Sequence, residues 1–573
     1  MTQPPPPPPP NEPPQQGGFG PPQDQPQGQP PAGYGYPQAP PGYGYPGQAP
    51  NPYGQQPGYG YPQANAPLQP QPGQPGQPGQ PGQGGGRKIN AQLAIIVSAV
   101  VAIALIIGGG VWYASSSGKD DDKKDTTSTS GGTGGEDDKG GTGGAGGADG
   151  TSGKSAEKVP ADPASHILFQ VPQPKVDKDT SVSVSGSWLT DKVYAKSGVA
   201  KIVGYDPDKG TEQWTIKLPG PVCQAGRHTT ANNLTAVVYQ PDMPTKTHTS
   251  ACTQVAAIDL DAGKKLWTKT ATAGDQTISF DNVTVSASTV AAGGTSGGAA
   301  WDLSSGKALW APKTTDTCYD AGYGGGEKLV AVRKCGAYGQ RELHIQTIDP
   351  KSGKVISEYR MAQGIEYAGV VSTSPLVVAA DVGDSGGGNG FSDLFSIDNK
   401  TGKLRTRISA PSDDYAADCP ITEVEACRQI AVGNDRIYLP TAEHDGSGGG
   451  LSQTNEIIAI DLATGKQTGQ RADAGEDYTI TPLRMDGRNI LAYKRPPYDK
   501  GGQIVSIDGG TFKETKLLEN PAKKSARDAE ASMSPDYSEV QYSQGRLYMS
   551  AVFASDPGSS DEKRYLALAF GAS

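Results

Sequence analysis

From about residue 162 to the C-terminus the sequence runs in short alternations of apolar and polar residues, with Val, Ile, Tyr and Thr runs broken by Gly, Asp and Asn. A period of two buries one face of an extended strand, and turn residues between the runs divide the chain into hairpins. No stretch in this region carries apolar residues at the spacing of a long amphipathic helix, so it is expected to be all-β. One run departs from the alternation. "LAIIVSAVVAIALIIGGGVWY", Leu93 to Tyr113, has no charge over 21 residues. As a helix it spans about 31 Å, enough for a bilayer core.

Within the β region one phrase returns: "YDPDKGTEQW" from 205, "IDLDAGKKLW" from 258, "WDLSSGKALW" from 301 and "IDPKSGKVIS" from 348. It continues as "IDNKTGKLRT" from 397, "IDLATGKQTG" from 460 and "IDGGTFKETK" from 507. Asp206, Asp259, Asp302, Asp349, Asp398, Asp461 and Asp508 would each end a strand and accept backbone N–H bonds across a turn. Gly210, Gly263, Gly306, Gly353, Gly402 and Gly465 suit a left-handed residue before the next strand. In the last copy Phe512 holds that place. The Asp-to-Asp spacings are 53, 43, 47, 49, 63 and 47 residues. A repeat of about fifty residues holding several short strands predicts a four-stranded propeller blade. The C-terminal "RLYMSAVFASDPGSSDEKRYLALAF" reads as two further strands with no turn phrase after them. The missing outer strand is expected from "HILFQVP" at 166–172, which would close an eight-bladed ring, with seven blades as the alternative.

The Asp-x-x-x-Gly-x-x-x-Trp pattern in blades of this length resembles the PQQ-binding-like β-propeller repeat, shared by quinoprotein alcohol dehydrogenases and BamB-like envelope scaffolds. The likeness covers roughly 162–573, and the whole layout is similar to membrane-anchored propeller proteins of actinobacteria. Trp214, Trp267 and Trp310 fit the pattern, whereas Ser357, Thr406 and Gly469 stand at the later equivalents. The resemblance implies that the indoles pack between neighbouring blades, so their loss puts a regular docking girdle in doubt after the third repeat.

The rest of the chain changes the picture around this domain. Residues 1–88 are rich in Pro, Gly, Gln and Tyr, with seven consecutive prolines and three "GYGYP" copies. They bury too little aliphatic surface to fold, and are expected to be a disordered cytoplasmic tail. Residues 91–113 are expected to be a transmembrane helix with Trp112 and Tyr113 at the interface. Residues 114–161, rich in Gly, Ser, Thr and Asp, read as a flexible tether to the propeller at 162–573. Basic residues flank both sides of the span, so orientation rests on the cysteines. All six (Cys223, Cys252, Cys318, Cys335, Cys419 and Cys427) follow it, which fits an oxidising exterior. Six cysteines allow fifteen pairings. Nearest neighbours are expected to pair, 223 with 252, 318 with 335 and 419 with 427. Net charge of −10 argues against nucleic acid as a partner.

Candidate chemistry is sparse. "GDSGG" around Ser385 spells a serine-protease string, but Ser296 and Ser447 hold the same slot in other repeats, and a nucleophile should be unique. Acyl transfer also needs a histidine and an orienting carboxylate. None of the five histidines (166, 228, 248, 344 and 444) sits in such a context upstream of Ser385. PQQ enzymes stack their quinone against a vicinal Cys–Cys disulfide beside Ca²⁺, and no two cysteines here are adjacent. "DPDKG" at 206–210 lacks the further oxygen ligands of a Ca²⁺ loop, and no His/Cys set has zinc spacing. The expectation is therefore no catalytic residue, no cofactor and no metal. The chain reads as a membrane-anchored extracellular propeller, a non-catalytic binding or scaffolding module for an envelope protein or ligand. Loops around 240–250, 384–392, 411–427 and 443–454 are its expected contact surface. A PQQ-dependent oxidoreductase and a transmembrane sensor read out through the tail are the alternatives.

Overall fold

Middle strands such as Leu376–Ala380 are apolar at consecutive positions, which is satisfied only when both sides of the sheet are covered, and the chain achieves this by arranging its sheets in a ring. The computed structural model describes residues 156–177, 180–337, 339–382, 390–446, 453–535, 537–556 and 563–572. The expected tail, membrane span and most of the tether lie outside the described residues, as do Ser385 and Ser447. Among the described residues, no helix is long and apolar enough to cross a membrane.

Eight four-stranded antiparallel sheets follow one another, which settles the blade count at eight. Blade 1 is Ser187–Leu189, Tyr194–Gly198, Lys201–Tyr205 and Glu212–Lys217, paired in that order. Blades 2 to 7 repeat the meander over 222–269, 282–310, 318–360, 368–409, 431–473 and 479–519. Blade 8 is Ser538–Ser543, Arg546–Ala551 and Tyr565–Ala572, with Ser165–Pro172 as its fourth strand. Ser165 pairs with Ala572 and Pro172 with Tyr565, so the two ends of the domain are knitted together. A short helix, Lys524–Ala531, joins blades 7 and 8.

Buried side chains group at the eight interfaces between blades rather than in one central core. Middle strands such as Thr289–Gly293 and Leu376–Ala380 are buried at every position, because neighbouring blades cover both faces.

Antiparallel meanders put the connections between blades and the second-to-third-strand loops on one face, here the loop face. The tight hairpins and the repeated turns lie on the other, the turn face. On the turn face the Asp206 carboxylate accepts from the amides of Asp208 and Lys209, and Asp398 accepts from Lys400 and Thr401. The turn glycines have φ between +60° and +68°, and Phe512 adopts +59° in their place.

These glycines also receive the neighbouring blade. Trp214 of blade 1 lies flat on Gly263 of blade 2, Trp267 on Gly306, and Trp310 on Gly353. Phe169 on the closing strand covers Gly210 in the same way. Beyond the third tryptophan, docking continues by close backbone approach. Gly402 abuts the Glu358 backbone while Ser357 Oγ donates to Asn399 O at 2.6 Å, and Thr406 Oγ1 meets Gly465. Gln470 Nε2 then donates to Gly510 O. The girdle continues through blade 7; only its chemistry changes.

Candidate functional site in the central channel

The first strand of each blade runs beside the axis, and one inter-blade connection turns inward across it. Residues 411–430 join blades 5 and 6 and carry the Cys419–Cys427 disulfide. Both cysteines are buried against Gly369, where a Cβ would stand 3.1 Å from the Cys427 sulfur. Val424 packs on Gly322, and its carbonyl accepts from Val370 N at 2.6 Å. Glu425 then crosses the channel. Its Oε1 meets His228 Nε2 of blade 2 at 3.0 Å and accepts from Gly325 N of blade 4 at 2.7 Å. Arg227 donates to the carbonyls of Cys427 and Glu425. The segment is a plug seated against blades 2, 4 and 5. Burial alone would raise the Glu425 carboxyl, but His228 and the Gly325 amide outweigh it and hold it below the usual carboxylate range.

The remainder of the channel, between the plug and blades 7, 8, 1, 2 and 3, is a cup of about 490 Å³, within the size range of small-molecule pockets. It is lined by the loop-face ends of first strands, so it opens on the loop face. Tyr537 and Phe553 stand at its lip, 52% and 50% exposed. Five carboxylates line it, those of Asp281, Asp418, Glu423, Glu425 and Glu539, with the guanidiniums of Arg227 and Arg428. Glu539 is fully engaged: Lys196 Nζ reaches Oε2 at 2.7 Å, and Gly186 N donates to Oε1 at 2.8 Å. Burial would lift its carboxyl, yet the Lys196 ammonium brings it below the ordinary value. Asp281 and Glu423 behave oppositely. Desolvation by the channel walls raises both, offset by the Thr295 amide for Asp281 and by Arg428 for Glu423.

Other predicted residues fall elsewhere. The turn aspartates, glycines and tryptophans lie on the turn face, away from the cup. Cys223 pairs with Cys252 beside the cup wall, and Cys318 pairs with Cys335 across the first two strands of blade 4. Ser296 sits in the exposed loop between the second and third strands of blade 3. Of the expected contact loops, 411–427 is largely withdrawn into the channel as the plug. In the 240–250 loop His248 Nε2 meets Ser250 Oγ at 3.1 Å, and that hydroxyl donates to Asp242 at 2.8 Å. The serine stands between the other two, so the carboxylate does not orient the imidazole and no proton relay results. Among the described residues no group of three or more His, Cys, Asp or Glu could hold a metal ion.

Glu425, His228 and Arg227 were invisible as a set in the sequence, because 197 residues separate Glu425 from His228. The one available signal was a tight Cys-x7-Cys loop, whose fold brings acidic residues with it.

Solved structures are similar to the chain at a low level. BamB from Moraxella catarrhalis is 12% identical with a TM-score of 0.37, covering 69% of this chain and 99% of its own. Quinohemoprotein alcohol dehydrogenase from Comamonas testosteroni is 11% identical with a TM-score of 0.38, covering 71% and 76%. No curated protein matches the chain. Residues 167–318, the closing strand together with the three blades whose turns keep the tryptophan, match the family model of "Outer membrane protein assembly factor BamB", to which this part of the chain is similar.

Proposed function

We propose that the chain is a membrane-anchored binding or scaffolding module of the cell envelope, non-catalytic, that receives its partner on the loop face of the propeller. The observation that carries this reading is the cup: a preformed concavity with an aromatic lip, whose floor is fixed by a plug that a buried disulfide and the buried His228–Glu425 hydrogen bond hold in place. Rigid, aromatic-rimmed concavities favour binding because little ordering entropy is lost on association. Three disulfides among six cysteines support an oxidising location. The uncharged run at 93–113 supports the anchor. The likeness of residues 167–318 to an outer membrane protein assembly factor supports a protein as the partner.

The test is site-directed photo-crosslinking on intact cells. A crosslinking residue in place of Tyr537 should capture a discrete partner, and one in place of Ile356, exposed on the outer edge of blade 4, should not. Equal capture at both positions, or none at Tyr537, would remove the loop face as the binding surface.

A further inference from the structure

We propose that the cup is the seat for a basic side chain, lysine or arginine, carried on an extended segment of the partner protein; this rests on the binding-module reading above. Three observations converge on it.

The first is charge. Lys196 is matched to Glu539 and His228 to Glu425. Arg227 also donates to the plug's carbonyls, and Arg428 faces Glu423 and Glu539. Against the five carboxylates stand three permanent cations, Lys196, Arg227 and Arg428, and the His228 imidazole, so the wall holds at least one carboxylate in excess. Among the described residues, neither Asp281 nor Glu423 closes a salt bridge. Both are desolvated without a cation in contact, which an incoming ammonium or guanidinium would supply. The second is hydrogen bonding. Gln541 Oε1, in the lining, is a buried acceptor without a donor. A buried acceptor left unpaired is costly, and an incoming ammonium or guanidinium carries several N–H donors to meet it. The third is the lip. Tyr537 and Phe553 offer exposed ring faces beside the opening, where the methylene stem and charge of a lysine or arginine are both accommodated. Half-exposed aromatics on a broad loop face fit a side chain presented on a polypeptide better than a free diffusible cation, which would use the acidic wall alone.

The probe is a labelled peptide, Ser-Gly-Lys-Gly-Ser with capped ends, its arginine counterpart, and a norleucine control, titrated into the full-length chain. The basic peptides should bind saturably and at least about tenfold more tightly than the norleucine peptide. Glu423→Gln and Asp281→Asn should each weaken the basic peptides about fivefold, and Tyr537→Ala should weaken them as well, leaving the norleucine peptide unaffected by the two charge variants. A circular-dichroism melt matching the parent identifies the variants that keep the fold, and the two carboxylate variants report on separate elements. Absence of a lysine or arginine preference overturns the proposal. So does spermidine binding more tightly than the peptides and indifferent to Tyr537→Ala, which would make the cup a polyamine site. Partner capture at Tyr537 on cells that persists without any basic-peptide preference removes this inference and leaves the binding-module reading standing.

Discussion

Asp302 shows how a single repeated residue holds a turn. Its Oδ1 accepts from the Ser305 amide at 2.8 Å and from the hydroxyls of Ser305 and Ser304 at 2.6 and 2.8 Å. The Ser305 hydroxyl first, then the Ser305 amide and the Ser304 hydroxyl, pull the carboxyl down to about 2. A carboxyl depressed on folding stabilises the native state fully above its unfolded value near 4, and that contribution disappears as pH falls through about 2. Asp302→Ala should therefore cost about 1 kcal/mol at neutral pH. The gap from the parent should shrink as urea titrations are repeated from about pH 5 downward. A gap indifferent to pH would mean that the ionised carboxylate does not hold the turn. Such residues were legible because turn chemistry is local: Asp, the turn and its glycine lie within five positions. Phe512 breaks the rule and adopts the left-handed conformation as a non-glycine, held by its buried contact with Tyr438 at 6.1 Å between ring centroids. Nothing adjacent in sequence announces that compensation.

At the scale of the element, the turn glycine has two duties that can be separated. Gly487 has φ +60° and open space around it, so Gly487→Ala meets backbone strain alone, about 1 kcal/mol. Gly263 has the same φ, but a Cβ there would enter the Trp214 ring. Gly263→Ala should add an overpacking cost of about 1–3 kcal/mol to that strain. Equal losses at the two sites in chemical denaturation would show that the indole does not dock the blades. The tryptophans made three interfaces readable in the sequence. The others were hidden because they rely on backbone proximity, as at Gly402 against Glu358, or on a serine hydroxyl reaching Asn399 O. Close backbone approach leaves no residue-type signature beyond the glycine itself. Element type was legible almost throughout; the plug was not, since a loop that dives into a channel and one that stands out in water differ only in what surrounds them.

Across the whole molecule, closure and attachment meet in one place. The described chain begins at the turn face. Glu157 N donates to Asp486 at 2.8 Å, and its carboxylate takes Arg484 at 2.8 Å and the Gln544 amide at 2.7 Å. Contacts with the propeller thus start ahead of residue 162, through one buried carboxylate that tether-like composition conceals. The strand Ser165–Pro172 then closes blade 8. Its Phe169 sits at 6.3 Å from Tyr194 and from Tyr548, bridging blades 8 and 1. The strand Ser165–Pro172 is the outer strand of its sheet, so losing it exposes the pairing groups of Tyr565–Ala572 and removes Phe169 from the junction with blade 1. Deleting residues 156–172 should therefore lower the melting temperature of the entire propeller rather than fray one blade. With Trp112 replaced by Phe, tryptophan fluorescence comes from Trp188, Trp214, Trp267, Trp301 and Trp310 of blades 1 to 3 and should move with far-UV circular dichroism. A synthetic peptide of residues 163–173 should restore part of the loss by pairing along the vacated edge, as donor strands do. A reversed-sequence peptide offers no Phe169 in register with Gly210 and should restore nothing. An unchanged melting temperature after the deletion would mean that the ring is held shut without the strand that joins its ends.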